Sequence, residues 1–261
     1  MKNAVRTTLR TTAVGGLLAL LSIAGHCAEP EAHAHPHWSY TGASGPNKWS
    51  ELDSKFTSCS QGKVQSPIDI HTTDAKHAAL SELKFDYQTS PLKLIDNGHT
   101  IQVNYAPGSF MTVDGKRYEL LQFHFHKPSE ERIDGKRYAL VAHLVHKNAE
   151  GELAVVGVLM EPGAKRPMIK TIFDNLPLQK EKEVEVPGVS INIATLLPEN
   201  RAYYTFSGSL TTPPCSEGVT WYVMKHAVPV SSQQIAQFGH VYKMNARPVQ
   251  AANGRLVQEN D

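Results

Sequence analysis

The run Tyr118-Glu-Leu-Leu-Gln-Phe-His-Phe-His126 constrains the fold of this chain more than any other stretch. Strand side chains alternate between two faces, so Leu120, Gln122, His124 and His126 are expected on one face and Glu119, Leu121, Phe123 and Phe125 on the other. The alternating phenylalanines require that strand to be buried on its far side. Further alternating or β-branched runs at 92–104, 109–113, 138–146, 153–159 and 219–224 are bounded by Gly, Pro, Asn and Asp. Asp-Gly at 114–115 and 134–135 suits tight hairpin turns. The repeated Asp-Gly-Lys-Arg-Tyr at 114–118 and 134–138 is shared turn chemistry, not a duplicated domain. Helical signals are short, around 167–175 and 231–237. The expected fold is mainly β (α+β), a large, mostly antiparallel twisted sheet with short peripheral helices.

A chain of 261 residues with 41% hydrophobic residues is long enough for a substantial core, and its balanced charge excludes wholesale disorder. With 26 Lys+Arg against 25 Asp+Glu it has no global field to attract nucleic acid or an acidic membrane, so neither is an expected partner. From Trp38 onward no linker or low-complexity block divides the chain, and 38–261 is read as a single domain. The run Lys180-Glu-Lys-Glu183 reads as a solvated surface segment.

The N-terminus reads separately. Lys2, Arg6 and Arg10 precede an apolar run at 13–24, which is too short for a bilayer span of about 20 residues. Basic, apolar and small residues in that order describe an export signal, and 1–28 is read as the signal peptide and cleavage region. Cys27 admits a lipid anchor, but His26 directly before it is a poor residue for that cleavage. Residues 29–37, with His33, His35 and His37, read as a flexible leader. Export, most simply to the periplasm with secretion as the alternative, places Cys59 and Cys215 in an oxidising compartment, where two remaining cysteines are able to pair.

The histidines carry the chemistry. His124 and His126 point the same way from one strand, and His143, in Tyr138-Ala-Leu-Val-Ala-His-Leu-Val-His146, shares a face with Val141 and Val145 while His146 points oppositely. If the two strands lie side by side, His124, His126 and His143 converge. Three neutral imidazoles suit Zn²⁺, leaving its fourth position for a water that becomes a hydroxide nucleophile near neutral pH. His-x-His by itself is a weak signal, and spacing alone leaves the function open.

The motifs together resemble the α-class carbonic anhydrases over roughly 38–250. They are Gln-Ser-Pro-Ile-Asp-Ile (65–70), Asp-Asn-Gly-His (96–99), Gln-Phe-His-Phe-His (122–126), His-Leu-Val-His (143–146), Ser-Leu-Thr-Thr-Pro-Pro-Cys (209–215), Val-Thr-Trp (219–221) and Asn-Ala-Arg-Pro-Val-Gln (245–250), in the family's order. The resemblance implies a roughly ten-stranded sheet with a conical cleft ending at zinc, and a zinc lyase that hydrates CO₂ reversibly. It implies that His124, His126 and His143 ligate zinc, that Thr211 orients the zinc-bound hydroxide, and that Glu130 stands behind Thr211. It places Val145, Val155, Leu210, Thr212 and Trp221 around the substrate, and His99 as a proton shuttle, a role suited to an imidazole of ordinary pKa. Tyr40, Asn97 and Gln102 would hold the water chain between. Cys59 and Cys215 match the disulfide of exported members. His71, His77, His146, His226 and His240 keep structural readings.

One departure stands out. The family usually has Glu two residues before the third zinc histidine, accepting that ring's second N–H, and this chain has Val141. Valine cannot accept the bond, so His143 needs a water or another acceptor, and a site that loses metal faster is expected. A milder change is Glu131, where many animal members have His. The competing function is a noncatalytic zinc-binding or adhesion module of the same fold, which Val141 alone favours. A metallohydrolase of larger substrates would want a wider, more polar cleft. The partner expected is a small molecule, CO₂ or bicarbonate, and the protein is expected to be a monomer or homodimer.

Overall fold

Strands rich in Val, Ile, Leu and Tyr satisfy their backbone groups only edge to edge, and alternate side chains then choose a face. The structure, a computed structural model, describes Met1 and residues 37–261. The expected signal peptide, Cys27, His33 and His35 lie outside the described residues. One large mixed sheet runs in the order Val184–Ile191, Ser90–Asp96, Ile101–Asn104, Lys116–His126, Leu140–Lys147, Leu153–Pro162, Glu217–Met224, Tyr203–Ser209, Gln258–Glu259 and Lys76–His77. Along that path only Leu153–Pro162 with Glu217–Met224, and Gln258–Glu259 with Lys76–His77, pair in parallel. The protein is therefore mainly β and mostly antiparallel, as its patterning implies.

The core lies on the phenylalanine side. Phe123 and Phe125 are fully buried, and the ring of Phe125 sits 5.3 Å from Phe173 and 6.0 Å from Phe238. Those partners come from the helices Pro167–Phe173 and Ser232–Val241, the first opened by Pro167 and the second by a capping box of Ser231 and Gln234. Each buried phenylalanine contributes about 1.5–3 kcal/mol. On the opposite face Ile68, Ile70, Val141, Val155, Trp221 and Val223 form a second buried cluster beside the histidines.

Three sequence expectations need correction. The run 92–104 is two strands, because Asn97-Gly98 turns the chain, with Gly98 at φ 82°. Strict alternation fails at Leu121: Gln122 pairs with Val145 but Leu120 with His146, so Leu121 is an extra residue. This bulge moves Leu120 into the same core as Phe123 and Phe125, off the histidine face assigned to it. The Asp134-Gly135 turn closes a short hairpin, Arg132–Ile133 with Lys136–Arg137, in a separate small sheet. The sequence suggests this turn as the way into the second histidine strand, but the separate strand Lys136–Arg137 comes between it and Leu140–Lys147. Both Asp-Gly pairs do have positive φ at each residue, as tight hairpin turns require.

Two of the longer strands had no clear sequence signal. Val184–Ile191 contains Pro187-Gly188 and is paired with a register shift, which hides its alternation. Tyr203–Ser209 ends in Ser-Gly-Ser, which reads as a turn. Gly208 is needed there for space, since a Cβ would stand 2.7 Å from Cδ1 of Trp221.

His146 is structural, buried in the phenylalanine-side core. Its Nδ1 faces the Ala154 carbonyl at 3.3 Å and its Nε2 faces the Tyr87 hydroxyl at 2.7 Å. Burial holds its pKa down at about 4. The unfolded chain therefore binds a proton that the folded one refuses. The contribution is full above about pH 6.5 and is lost as pH falls toward 4, by roughly 3 kcal/mol. Tyr87→Phe should strip Nε2 of its partner and lower stability by about 1–3 kcal/mol in denaturant titration at pH 7.5.

Candidate metal centre

The strands Lys116–His126 and Leu140–Lys147 are antiparallel neighbours with His143 directly opposite His124, which brings the third imidazole to the first two. Ligand-type nitrogens of His124, His126 and His143 lie within 4.8 Å of one another. The bulge at Leu121 lies just upstream and leaves the alternation of His124 and His126 intact.

Each ring is held by its other nitrogen. Nδ1 of His124 is 2.8 Å from Oε1 of Gln122, and Nδ1 of His126 donates to the Asn245 carbonyl at 2.6 Å. Nε2 of His143 lies 2.9 and 3.1 Å from the two carboxylate oxygens of Glu131. That contact is the other acceptor that Val141 leaves His143 needing, a carboxylate from a different segment. The nitrogens left over are Nε2 of His124, Nε2 of His126 and Nδ1 of His143. Nε2 of His126 is buried with no hydrogen-bond partner among the described residues. Buried polar atoms rarely stay unpaired, and an orphaned imidazole nitrogen beside two others fits a zinc ion.

The electrostatics favour neutral ligands on the first strand. Burial, and then the neighbouring His143, lowers His124 to about 3; burial with His143 and His124 pushes His126 well below its usual range. Burial also opposes charge on His143, but Glu131, through charge and hydrogen bond, and Glu130 outweigh it and raise that ring. Glu130 is raised to about 7 by burial, with Glu131 adding to the rise against the lowering effects of His143, the Thr211 side chain and the Arg247 N–H.

Behind the histidines, the backbone N–H of Arg247 donates to Oε1 of Glu130 at 2.7 Å, while Oε2 has no hydrogen-bond partner among the described residues. The buried Arg247 guanidinium donates to Oε1 of Gln65, the Ser66 carbonyl and the Cys59 carbonyl. Cys59 and Cys215 are joined in a disulfide. Val155 and Trp221 are buried in the second cluster, and Val145 and Leu210 pack against it. The Trp221 ring stands edge-on 4.9 Å from that of His143. Thr211 is buried and Thr212 half-buried beside it.

His99 is half-buried and stacks on Trp38 at 3.5 Å between ring centres, with His37 edge-on at 5.9 Å. Burial, then the His37 and Lys180 charges, lowers its pKa to about 4 against the opposite pull of Asp96. Asn97 Nδ2 donates to Gln102 Oε1 at 3.4 Å, and Gln102 pairs in register with His124. The Tyr40 hydroxyl is buried without a partner among the described residues, and burial together with Glu130 raises it well above the usual tyrosine range.

Sequence reading passed over Gln122, Glu131, Asn245 and Arg247 as parts of this site. Gln122 was visible as the preceding same-face residue of the histidine strand. Asn245 and Arg247 stood in a family-like motif without an assigned role. Glu131 stood out only as a mild departure from the animal family members, which gave no hint of a link to His143.

A family model described as eukaryotic-type carbonic anhydrase matches residues 44–261. The carbonic anhydrase of Nostoc sp. is 42% identical over 248 residues, covering 94% of this chain and 94% of that protein. That of Klebsiella pneumoniae is 45% identical over 226 residues, 85% of this chain and 91% of the relative. Among solved structures, the α-carbonic anhydrase from Thermovibrio ammonificans in complex with the inhibitor sulfanilamide gives a TM-score of 0.83 at 42% identity, over 85% of this chain and 99% of that one.

Proposed function

Because this chain belongs to the eukaryotic-type carbonic anhydrase family and is an enzyme of it, we propose that it hydrates CO₂ reversibly to bicarbonate and a proton at a zinc ion held by His124, His126 and His143. The observation that carries this reading is the convergence of three buried or half-buried imidazoles, each anchored through its other nitrogen. When bound, zinc supplies a Lewis-acid centre that makes hydroxide available as a nucleophile near neutral pH, an effect for which carbonic anhydrase is the reference case.

The protein's own groups then set the geometry. The Arg247 N–H holds Oε1 of Glu130, and Thr211, whose side chain acts on that carboxylate, would donate its Oγ1 proton to the Oε2 that is otherwise unpaired among the described residues. With its proton committed, the Thr211 oxygen faces the reaction only as an acceptor, which fixes the direction of the attacking oxygen's lone pair. Val145, Val155, Leu210 and Trp221, with Thr212 at their edge, offer CO₂ an apolar surface where no polar group must be desolvated. Tyr40, Asn97 and Gln102 line the proton's path through ordered water, and His99 relays it outward.

Stacked on Trp38, His99 is a weak base, so the relay works when the ring leaves that stack for water and regains an ordinary imidazole pKa. His99→Ala should cut turnover in weakly buffered solution by roughly 10²-fold, with added imidazole restoring most of it. A rate independent of His99 at low buffer would remove it from the path.

The chain is read as an exported protein, its signal peptide at 1–28 removed and 38–261 forming one catalytic domain, in the periplasm. The disulfide supports export. The test of the whole reading is stopped-flow CO₂ hydration by the zinc-loaded protein: a fast rate abolished by a sulfonamide is expected. A rate at the buffer background with zinc verified in the sample would favour the noncatalytic binding module.

A further inference from the structure

We propose that Glu131 is the positioning residue that orients His143 for the metal, and that Val141 is the apolar counterpart this arrangement requires. The inference rests on the zinc reading above. Glu131 is fully buried, and both of its carboxylate oxygens face one partner, Nε2 of His143. A carboxyl group buried away from water needs a hydrogen-bond partner, and the His143 ring nitrogen is the one both of its oxygens face.

The segment that carries Glu131 is pinned on both sides. Ser129 N donates to the Tyr138 carbonyl, Ser129 Oγ to the Glu131 carbonyl, and Tyr138 N to Ser129 Oγ. Immediately after Glu131, Arg132 N donates to the Ile68 carbonyl, and Arg132–Ile133 pairs in parallel with Asp69–Ile70. The carboxylate therefore reaches His143 from a fixed segment, not from the strand that holds the ligand itself. An acceptor aligned this way fixes which ring nitrogen faces the metal and strengthens it as a ligand.

Val141 follows from the same geometry. It lies two residues before His143 on the same strand, fully buried among Ile68, Ile70, Leu159 and Trp221 in the second cluster. A carboxylate there would be a third beside Glu130 and Glu131, with Oε2 of Glu130 already 3.8 Å from Nδ1 of His143. The single Nε2–H of His143 already faces both Glu131 oxygens, so a second carboxylate would be buried there without a donor. Glutamate at 141 and glutamate at 131 are thus alternative solutions to one requirement, and each is harmful beside the other.

The test is zinc release from the holoprotein into a chromophoric chelator, for wild type, E131Q, E131A, V141E and E131A/V141E, alongside the visible spectrum of each Co²⁺-substituted form. E131A should release zinc about 10–100-fold faster and alter the cobalt spectrum. E131Q, which keeps a carbonyl acceptor and the side-chain shape, should fall between it and wild type and guards against misfolding of E131A. V141E alone should retain zinc no better than wild type, whereas V141E in the E131A background should recover most of the loss. Release from E131A and E131Q within twofold of wild type would overturn the proposal. So would a V141E variant that tightens zinc equally in both backgrounds. A wild type that follows this pattern but leaves CO₂ untouched would support the role of Glu131 and overturn the catalytic reading.

Discussion

His126→Ala should take CO₂ hydration to the uncatalysed background and reduce bound zinc well below one per chain, while the protein remains folded. His126 is the most enclosed of the three imidazoles, with one nitrogen bound to the Asn245 carbonyl and the other unpaired among the described residues. Removing it leaves two donors, below the three that a catalytic zinc site keeps from the protein. The two neighbouring carboxylates already have partners: Glu130 has the Arg247 N–H on Oε1, and Glu131 has the His143 ring. The structural cost is smaller. The Asn245 carbonyl loses a donor in a buried place, worth about 1–3 kcal/mol, and Asn245 keeps its bonds to the Lys127 N–H and the His99 and Phe125 carbonyls. Stopped-flow rates and elemental zinc analysis on the folded variant check both halves. A rate clearly above background with zinc still bound would mean that the metal centre lies elsewhere.

The sheet and the three histidines were legible because both depend on a period of two that the sequence displays openly. Phe123 and Phe125 announce a core, and His124 and His126 must then face away from it. What escaped was whatever depends on a break in that period or on segments distant in sequence. The extra residue Leu121 reverses the side of Leu120 without any turn residue to mark it. The interrupted strand Val184–Ile191 hides behind Pro187-Gly188. The clearest case is Glu131: strand logic looks for a partner of His143 two residues away and finds Val141. The acceptor instead arrives from a turn fixed by Ser129, Tyr138 and Ile68, contacts that no pattern along the chain encodes. The faster metal loss expected from Val141 was drawn without Glu131, which offers His143 the acceptor that valine cannot.

Replacing both Cys59 and Cys215 by serine should destabilise the protein by about 2–5 kcal/mol, lowering the melting temperature by roughly 5–15 °C, and should also slow CO₂ hydration. The stability effect follows from the 156-residue separation of the two cysteines, since a long closed loop takes much entropy from the unfolded chain. The kinetic effect follows from what the bridge holds. The Cys59 carbonyl accepts from Arg247 Nη2 at 2.9 Å, and the Cys215 carbonyl accepts from Gln65 Nε2 at 3.0 Å. Gln65 in turn accepts from Arg247 Nη1, and the Arg247 backbone N–H holds Glu130. A chain of bonded groups thus runs from the disulfide to the carboxylate behind Thr211. Without the bridge, Arg247 keeps Gln65 and the Ser66 carbonyl, so Glu130 is loosened, not released. The rate should therefore fall far less than in His126→Ala, and zinc content should stay near one per chain. Reductant should lower the melting temperature of the wild type by a similar amount and leave the double variant unmoved. If the double variant melts as the wild type does, the bridge is stabilising nothing. If it melts lower but turns over CO₂ at the full rate, Arg247 and Gln65 hold Glu130 in place without help from the disulfide.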